Sequence, residues 1–123
     1  MKAITLVFIG GGLGSVLRYL ISKHFNSETN TFPWGTFSVN LFGSLLIGLV
    51  LGWVLHKSKL SSDTLLFVIA GFCGGFTTFS AFANESFIFL KQGNTTLFFS
   101  YVLSSIIAGL ICVWLGYSVI KLV

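Results

Sequence analysis

The feature that most constrains this chain is an apolar segment, about Leu65 to Leu90, whose middle is rich in glycine. The segment is long enough to cross a bilayer as a helix. Gly71, Gly74 and Gly75 weaken that helix, because glycine loses the most backbone entropy on ordering. The glycines either allow close packing against another helix or mark a break near the middle of this one. We predict a broken third helix, whose freed backbone groups must face protein, an ion or water.

The residues after the predicted break are suited to an anion. Phe79 and Phe82 are spaced i, i+3 and share one helix face, and Glu85 continues that line one turn on. An aromatic ring carries positive potential at its edge, so ring edges and amide donors together can hold a desolvated anion. The alternative is that both phenylalanines contact only lipid or the protein core.

Hydrophobic residues make up 54% of the 123 residues and charged residues only 8%, which excludes an ordinary soluble domain. The pattern predicts an all-α membrane protein, a single domain over residues 1–123 with helices at about 3–24, 34–55, 64–90 and 95–121. The first segment is expected to stay as a transmembrane helix, because no small-x-small cleavage site follows a short apolar core.

Two other classes of function are not expected from these residues. No basic patch is interleaved with surface aromatics, so nucleic acid is not an expected partner. The sequence also lacks a Ser/His/Asp set, a metal-ligand cluster and a phosphate loop, so an enzyme is not expected. Cys73 and Cys112 fall in apolar segments without metal or disulfide spacing, and we predict that both are core residues.

The second helix carries a stripe of polar and small residues, because Asn40, Ser44 and Gly48 recur every four positions. Asn40 is the costly member, since its amide must find hydrogen-bond partners in hydrocarbon. It either bonds to a neighbouring helix or lines an ion path, and the spacing does not choose between the two.

Polar groups in the first and fourth helices leave similar alternatives open. Arg18 either anchors its helix at the membrane interface or handles an ion directly. The fourth helix offers hydroxyl groups that either bond to a neighbouring helix or form a polar track. These hydroxyls belong to Tyr101, Ser104 and Ser105.

The charges flanking the helices give only a weak orientation. With the N-terminus inside, four basic residues lie on the inner side: Lys2, Lys57, Lys59 and Lys121. Two or three lie outside: Lys23, Lys91 and, if it reaches the interface, Arg18. Such a small bias permits insertion both ways, so we expect an antiparallel, dual-topology homodimer in the cell membrane. In such a dimer, two broken helices would cross at the centre and give the inverted symmetry that other transporters encode as internal repeats.

Three motifs, one per helix, resemble those of the Fluc fluoride channels, also called CrcB proteins. The first motif is Gly10-Gly-Gly-Leu-Gly14 with Arg18-Tyr19. The second is Trp34-Gly-Thr36 followed by Val39-Asn40 and Gly43. The third and most specific is Gly74-Gly-Phe-Thr-Thr-Phe-Ser-Ala-Phe82. The resemblance covers nearly the whole chain.

The resemblance implies a dual-topology dimer with two fluoride pathways that export fluoride passively and lower its toxicity in the cytoplasm. It implies that Phe79 and Phe82 meet fluoride with their ring edges, that Asn40 lies in the pathway, and that Ser80 belongs to a polar track beside them. Ala81 departs from the threonine common in the family, which puts one hydroxyl of that track in doubt.

The resemblance further implies a structural sodium ion at the dimer interface, held by the backbone carbonyls of Gly74 and Thr77. Arg18 and Glu85 also fit the family pattern, with their roles left open. The expected partners are therefore fluoride, sodium, membrane lipid and a second copy of the chain.

Two rival functions remain to be tested. A small multidrug-resistance exporter also has four spans, but it needs a membrane-embedded carboxylate, and the first helix here has no acidic residue. A membrane assembly protein that transports nothing is the other rival. It does not require Asn40, the glycine-rich break and the phenylalanine pair together.

Overall fold

The computed structural model describes residues 1–26, 31–57 and 60–122. Four helical segments in these ranges are long and apolar enough to cross a membrane. They are α1 (Lys2–Phe25), α2 (Trp34–His56), a third span (Ser62–Lys91) and α5 (Thr95–Leu122). The third span consists of α3, residues 62–76, and α4, Phe79–Lys91. These bounds contain the four predicted ranges, and the prediction of a four-span, multi-pass membrane protein is confirmed.

The connections near the third span follow local turn chemistry. Ser61 caps the start of α3, because its hydroxyl accepts a hydrogen bond from the Thr64 amide at 3.1 Å. Gly93 follows the end of α4 with a positive φ of 73°, a conformation that glycine adopts without strain. The sequence predicts Ser61 or Ser62 as the cap of this helix and Gly93 as a helix stop, and the structure uses Ser61 and Gly93.

Helices α1 and α3 pack with their backbones in close contact. A Cβ atom at Gly14 would overlap the Phe72 carbonyl oxygen, and one at Gly75 would overlap the Gly11 carbonyl oxygen. The packing interpretation of these glycines is therefore correct for Gly75 and also for Gly71, which lies against Gly10. Gly74 differs, since a Cβ there would meet only the Ile69 carbonyl oxygen at 3.8 Å.

Helices α2 and α5 form the second close pair. A Cβ atom at Gly48 would overlap the Val113 carbonyl oxygen, and one at Gly116 would overlap the Leu45 carbonyl oxygen. The four helices thus assemble as two glycine-packed pairs, α1 with α3 and α2 with α5. The third span continues from the first pair into α4, which lies against α5.

Within α3, residues Leu66–Cys73 form π-helical rather than α-helical hydrogen bonds. Such wide turns are rare in proteins, but where they occur they often lie near functional sites. Cys73 is buried at the end of this stretch, as expected for a core residue. Cys112 is only half-buried and lines an apolar groove with Trp34 and Phe42, so the prediction that it belongs to the core is wrong.

Two polar contacts join helix ends. The Lys2 ammonium forms an ion pair with Asp63, which links the start of α1 to the start of α3. The His56 ring nitrogen Nε2 lies 2.8 Å from the Tyr117 hydroxyl, which links α2 to α5. All four side chains are at least partly exposed.

Candidate functional site

The helical path of the third span is interrupted at two threonines. Thr77 (φ −81°, ψ 157°) and Thr78 (φ −149°, ψ 112°) both have extended backbone. Thr77 ends α3, and its hydroxyl donates to the Cys73 carbonyl at 2.8 Å. Thr78 begins α4, since its hydroxyl accepts a hydrogen bond from the Ala81 amide at 3.2 Å. The preceding Gly74 remains helical, so the extended residues are the threonines rather than the glycines.

Asn40 of α2 fills the interruption from the side. Its Oδ1 accepts a hydrogen bond from the Thr78 amide at 2.8 Å, and its Nδ2 donates to the Thr78 carbonyl at 3.3 Å. The side-chain amide thereby satisfies both backbone groups of one extended residue, as a neighbouring β-strand does in a sheet. Of the two sequence-based interpretations, the interhelical bond is present, and one Nδ2 hydrogen remains for another acceptor.

The interruption also removes helical partners from two carbonyl groups. In an unbroken helix the Gly74 carbonyl would accept from the Thr78 amide, but that amide donates to Asn40 instead. The Thr77 carbonyl would accept from the Ala81 amide, which donates to the Thr78 hydroxyl. The intervening Gly75 carbonyl is satisfied differently, by α1.

Arg18 and Ser15 of α1 supply that partner. The Arg18 Nε donates to the Gly75 carbonyl at 3.0 Å, and the Ser15 hydroxyl lies 3.4 Å from the same oxygen. The arginine side chain thus holds the end of α3, a contact between helices that differs from the interface anchoring suggested by the sequence. Its guanidinium does not line the cavity described next.

A cavity of about 330 Å³ opens beside the interruption. Its walls come from α2, the two extended threonines, the first turn of α4 and α5. The lining residues are Asn40, Ser44, Ile47, Thr77, Thr78, Phe79, Phe82, Ser105 and Ile106. It therefore combines amide and hydroxyl donors with two aromatic rings and apolar side walls.

The two phenylalanines border this cavity in different ways. Phe79 is 80% exposed in the single chain, and its ring centroid lies 5.9 Å from that of Phe82. Phe82 is half-buried and packs against Tyr101, with ring centroids 5.1 Å apart. The face shared by both rings is thus open at one end and packed against α5 at the other.

Glu85 lies one turn further along α4 and is held by side-chain donors from other segments. The Thr36 hydroxyl donates to Glu85 Oε1 at 2.6 Å, and the Tyr101 hydroxyl donates to Oε2 at 2.7 Å. Asn26 adds a longer contact at 3.5 Å from its Nδ2. Both hydroxyl-bearing residues are essentially inaccessible to solvent, at 1% and 0% exposure. The carboxylate therefore ties the C-terminal end of α1, α2 and α5 to α4.

The remaining predicted site residues differ in whether they line the cavity. Ser105 lines the cavity, and its buried hydroxyl oxygen has no hydrogen-bond partner among the described residues. Ser104 instead donates to the Tyr101 carbonyl at 3.2 Å. Ser80 lies outside the lining, with its hydroxyl 3.2 Å from that of Thr78. The structure thus brings Ser105, but not Ser104 or Tyr101, to the cavity.

Sequence reasoning left two polar lining residues without a site role. Ser44 was noted only as part of the stripe that includes Asn40, although its i+4 spacing already placed both on one face of α2. Thr78 follows the predicted ligand Thr77 directly, and nothing in the sequence indicated that it is the residue held by the asparagine.

Comparison with known proteins identifies the family. The family model described as CrcB-like protein, Camphor Resistance (CrcB), matches residues 5–117. A Phocaeicola vulgatus protein named fluoride-specific ion channel FluC is 46% identical over 117 residues, covering 94% of this chain and 96% of the relative. A Bacteroides fragilis protein of that name is 48% identical over 120 residues, covering 94% of each. One from Rhizobium meliloti is 38% identical over 122 residues, covering 98% of each. The four-span chain belongs to the CrcB-like family.

Proposed function

We propose that this protein is a fluoride-selective ion channel that lets fluoride leave the cell passively and so lowers fluoride toxicity in the cytoplasm. The observation that carries the proposal is the cavity at the interruption of the third span, which joins hydrogen-bond donors to two aromatic rings. The membership in a family whose named relatives are fluoride-specific channels supports it. A transport role of this kind is not that of an enzyme.

The donors around the cavity suit a small, strongly hydrated anion. Asn40 keeps one amide hydrogen free, and Ser105 has a hydroxyl without a partner. The first turn of α4 begins at the cavity, where helix N–H groups and the helix dipole favour negative charge. In the proposal these groups replace the hydration shell of fluoride within a narrow path.

The rings of Phe79 and Phe82 follow those donors along α4. Their edges provide positive potential without a full charge, so an anion is stabilised there but not trapped. Beside them, Thr78 and Ser80 form a polar track, while Glu85 and Tyr101 hold the packing of α4 against α5. Ala81 contributes no hydroxyl, so this track has one donor fewer than the family pattern.

We propose further that two chains form an antiparallel homodimer with two such pathways. The cavity is open in the single chain, and Phe79 at its border is 80% exposed, so a second copy would close it. The small difference in basic residues on the two sides supports insertion in both orientations. Gly74 is also exposed, although packing within the chain does not require a glycine there.

The carbonyls of Gly74 and Thr77 fit a structural sodium ion at the centre of that dimer. Both have lost their helical donors, and two carbonyls from each subunit would offer four oxygen ligands in total. Among the described residues no group of three or more His, Cys, Asp or Glu side chains is placed to bind a metal, so backbone oxygens are the available ligands. A bound cation would supply a fixed positive charge that favours anion entry.

The test of the channel proposal is fluoride efflux from liposomes that contain the purified protein, with chloride as the control ion. We expect rapid fluoride loss and no comparable chloride loss. Equal rates for the two ions, or no fluoride loss from vesicles that contain folded dimer, would contradict the proposal. A proton-coupled exporter of cations and an assembly protein would both leave fluoride inside.

The dimer proposal is tested by labelling single cysteines introduced at positions 23 and 57 in intact cells. An antiparallel dimer requires each position to react from both faces of the membrane. Reaction from one face only would rule out dual topology. The parent chain, with its buried Cys73 and half-buried Cys112, serves as the labelling background.

The sodium proposal is tested without any flux measurement. We expect the unfolding temperature of the purified dimer to rise with sodium concentration and to stay constant when N-methylglucamine replaces sodium at equal ionic strength. Equal unfolding temperatures in the two salts would leave the carbonyls without this role.

A further inference from the structure

One polar side chain of the cavity lining has no role in the pathway described so far. Ser44 lies one helical turn beyond Asn40 on α2 and lines the same cavity as Phe79 and Phe82. Ser105 lines the cavity from α5. Two serines from different helices therefore border the same cavity as Asn40.

Serines in membrane helices commonly donate back to a carbonyl three or four residues earlier. Ser86 does so to the Phe82 carbonyl at 2.7 Å, and Ser104 does so to the Tyr101 carbonyl at 3.2 Å. The Ser105 oxygen is buried without any partner in the part of the chain that the structure describes. The Ser44 hydroxyl likewise makes no hydrogen bond to a described residue. Both hydroxyls thus keep a hydrogen that no described residue accepts.

The neighbouring helix leaves room for the Ser44 hydroxyl. A Cβ atom built at Gly109 of α5 would lie 3.8 Å from the Ser44 hydroxyl oxygen, which is an ordinary contact distance. A side chain at position 109 would therefore point at the place that the Ser44 hydroxyl occupies. Gly109 also lies one turn from Ser105, so the two α5 positions face the same cavity wall.

We propose that Ser44 contacts fluoride directly, and that its hydroxyl and that of Ser105 form a second hydrogen-bonding position next to Asn40. The inference rests on the proposed channel function and names a further residue of its pathway. Fluoride accepts a hydrogen bond from each hydroxyl, and Ile47, on the same helix as Ser44, gives the cavity an apolar wall. No bond is made or broken in this step, since the ion exchanges one set of donors for another.

The experiment compares fluoride efflux from liposomes for the parent, Ser44→Ala and Ser38→Ala. Ser38 is the matched control, because it lies on the same helix but lines the apolar groove with Trp34 and Phe37. We expect Ser44→Ala to slow fluoride efflux by about tenfold, as the loss of a hydrogen bond to a charged group predicts. Ser38→Ala should keep the parental rate, and both variants should keep the parental dimer size and unfolding temperature.

A double variant separates a hydroxyl contact from simple packing. Ser44→Gly combined with Gly109→Ser moves the hydroxyl from α2 to α5 at nearly the same place. We expect this variant to recover most of the parental efflux, whereas Ser44→Gly alone should remain slow. Ser44→Cys, which keeps the volume but donates weakly, should behave like Ser44→Ala and replaces it if the alanine variant does not assemble.

The outcomes distinguish a failure of the channel proposal from a failure of the role proposed for Ser44. A parent chain that passes no fluoride overturns the channel proposal and this inference with it. A parent that conducts while folded Ser44→Ala or Ser44→Cys conducts equally well overturns only the role of Ser44. Equal slowing by Ser38→Ala, or no recovery in the double variant, assigns the effect to packing and also overturns it.

Discussion

The two helices of the third span are held against their neighbours by different kinds of contact. Helix α3 lies against α1 with almost no side-chain mediation, because Gly71 and Gly75 bring the two backbones together. Helix α4 contacts α2 and α5 through side-chain hydrogen bonds to Glu85 and through the tilted ring contact between Phe82 and Tyr101. One continuous apolar segment in the sequence therefore contains two helices with different kinds of support.

The difference shows how a break can be placed accurately at membrane depth. Backbone packing fixes where α3 ends, and Arg18 adds a hydrogen bond to the Gly75 carbonyl at that end. The side-chain network fixes the rotation of α4, because the Glu85 carboxylate needs its donors on two other helices. Asn40 then holds Thr78 between the two supports.

The largest effect is expected at the α1–α3 contact. Gly75→Ala places a methyl group on the Gly11 carbonyl oxygen, and backbone atoms cannot move aside as a flexible side chain can. We expect about 3 kcal/mol or more of destabilisation and little folded dimer. Gly12→Ala is the matched control, since a methyl group there meets no atom within 4 Å. Thermal unfolding and elution volume in detergent measure both, and a Gly75→Ala protein as stable as Gly12→Ala would refute the packing argument.

Asn40→Asp disturbs the junction between the two helices. The carboxylate can still accept from the Thr78 amide, but it cannot donate to the Thr78 carbonyl, and it places an anion beside the cavity. Fluoride efflux should fall by roughly a hundredfold or more, because like charges repel strongly in a low-dielectric site. Elution as a dimer is the control. If the Asn40→Asp dimer passes fluoride at the rate of the parent protein, Asn40 does not lie in the ion path.

Phe79→Ile and Phe82→Ile test the ring edges of α4. Isoleucine keeps apolar bulk but removes the ring quadrupole, so each variant should assemble as a dimer and pass fluoride roughly tenfold more slowly. Liposome efflux of both variants is compared with the parent, and dimer size is checked by gel filtration. If both conduct at the parental rate, the rings serve only in packing.

Glu85→Gln weakens the side-chain support of α4 without changing its size. The amide replaces one acceptor oxygen, so either Thr36 or Tyr101 loses its present partner. We expect about 1–2 kcal/mol of destabilisation, measured as a lower unfolding temperature. Asp63→Asn, which breaks the exposed ion pair with Lys2, should change stability by less than about 1 kcal/mol and is the comparison variant. The reverse order of the two effects would contradict this assignment.

The smallest effect is expected at Gly93, beyond the end of α4. Its φ of 73° disfavours any residue with a Cβ, although no neighbouring atom would clash with one. Gly93→Ala should cost about 1 kcal/mol from backbone strain alone. Gly93→Asn should cost less, since asparagine tolerates this conformation better. Chemical unfolding of the two variants gives the difference, and equal losses would point to a cause other than backbone strain.

The four spans were predictable because hydropathy and helix-end residues act locally along the chain. Ser61 and Gly93 marked helix ends in the sequence, and the structure confirms both. The glycine motif was also visible in the sequence, but which glycines pack against another helix could not be predicted from it. A glycine that weakens a helix and a glycine that packs against another helix look the same until the partner backbone is known.

The polar partnerships of the site were beyond a sequence-based prediction for the same reason. Tyr101 and Glu85 are 16 positions apart, and no helical spacing relates residues on different helices. The choice between Ser104 and Ser105 depends on a rotation of α5 of about 100°, which only its contacts with α2 determine. Local patterns supplied the candidates, and tertiary packing selected among them.

The pairing of Asn40 with Thr78 has a consequence for biosynthesis. The two residues are 38 positions apart, and the asparagine is made first. When α2 enters the bilayer its amide therefore has neither of its final backbone partners, which arrive only with the third span. Until then the newly made helical hairpin carries an unsatisfied polar group in hydrocarbon, which favours holding it at the insertion machinery. Release of this hairpin into lipid as a stable unit is therefore disfavoured until the third span supplies Thr78.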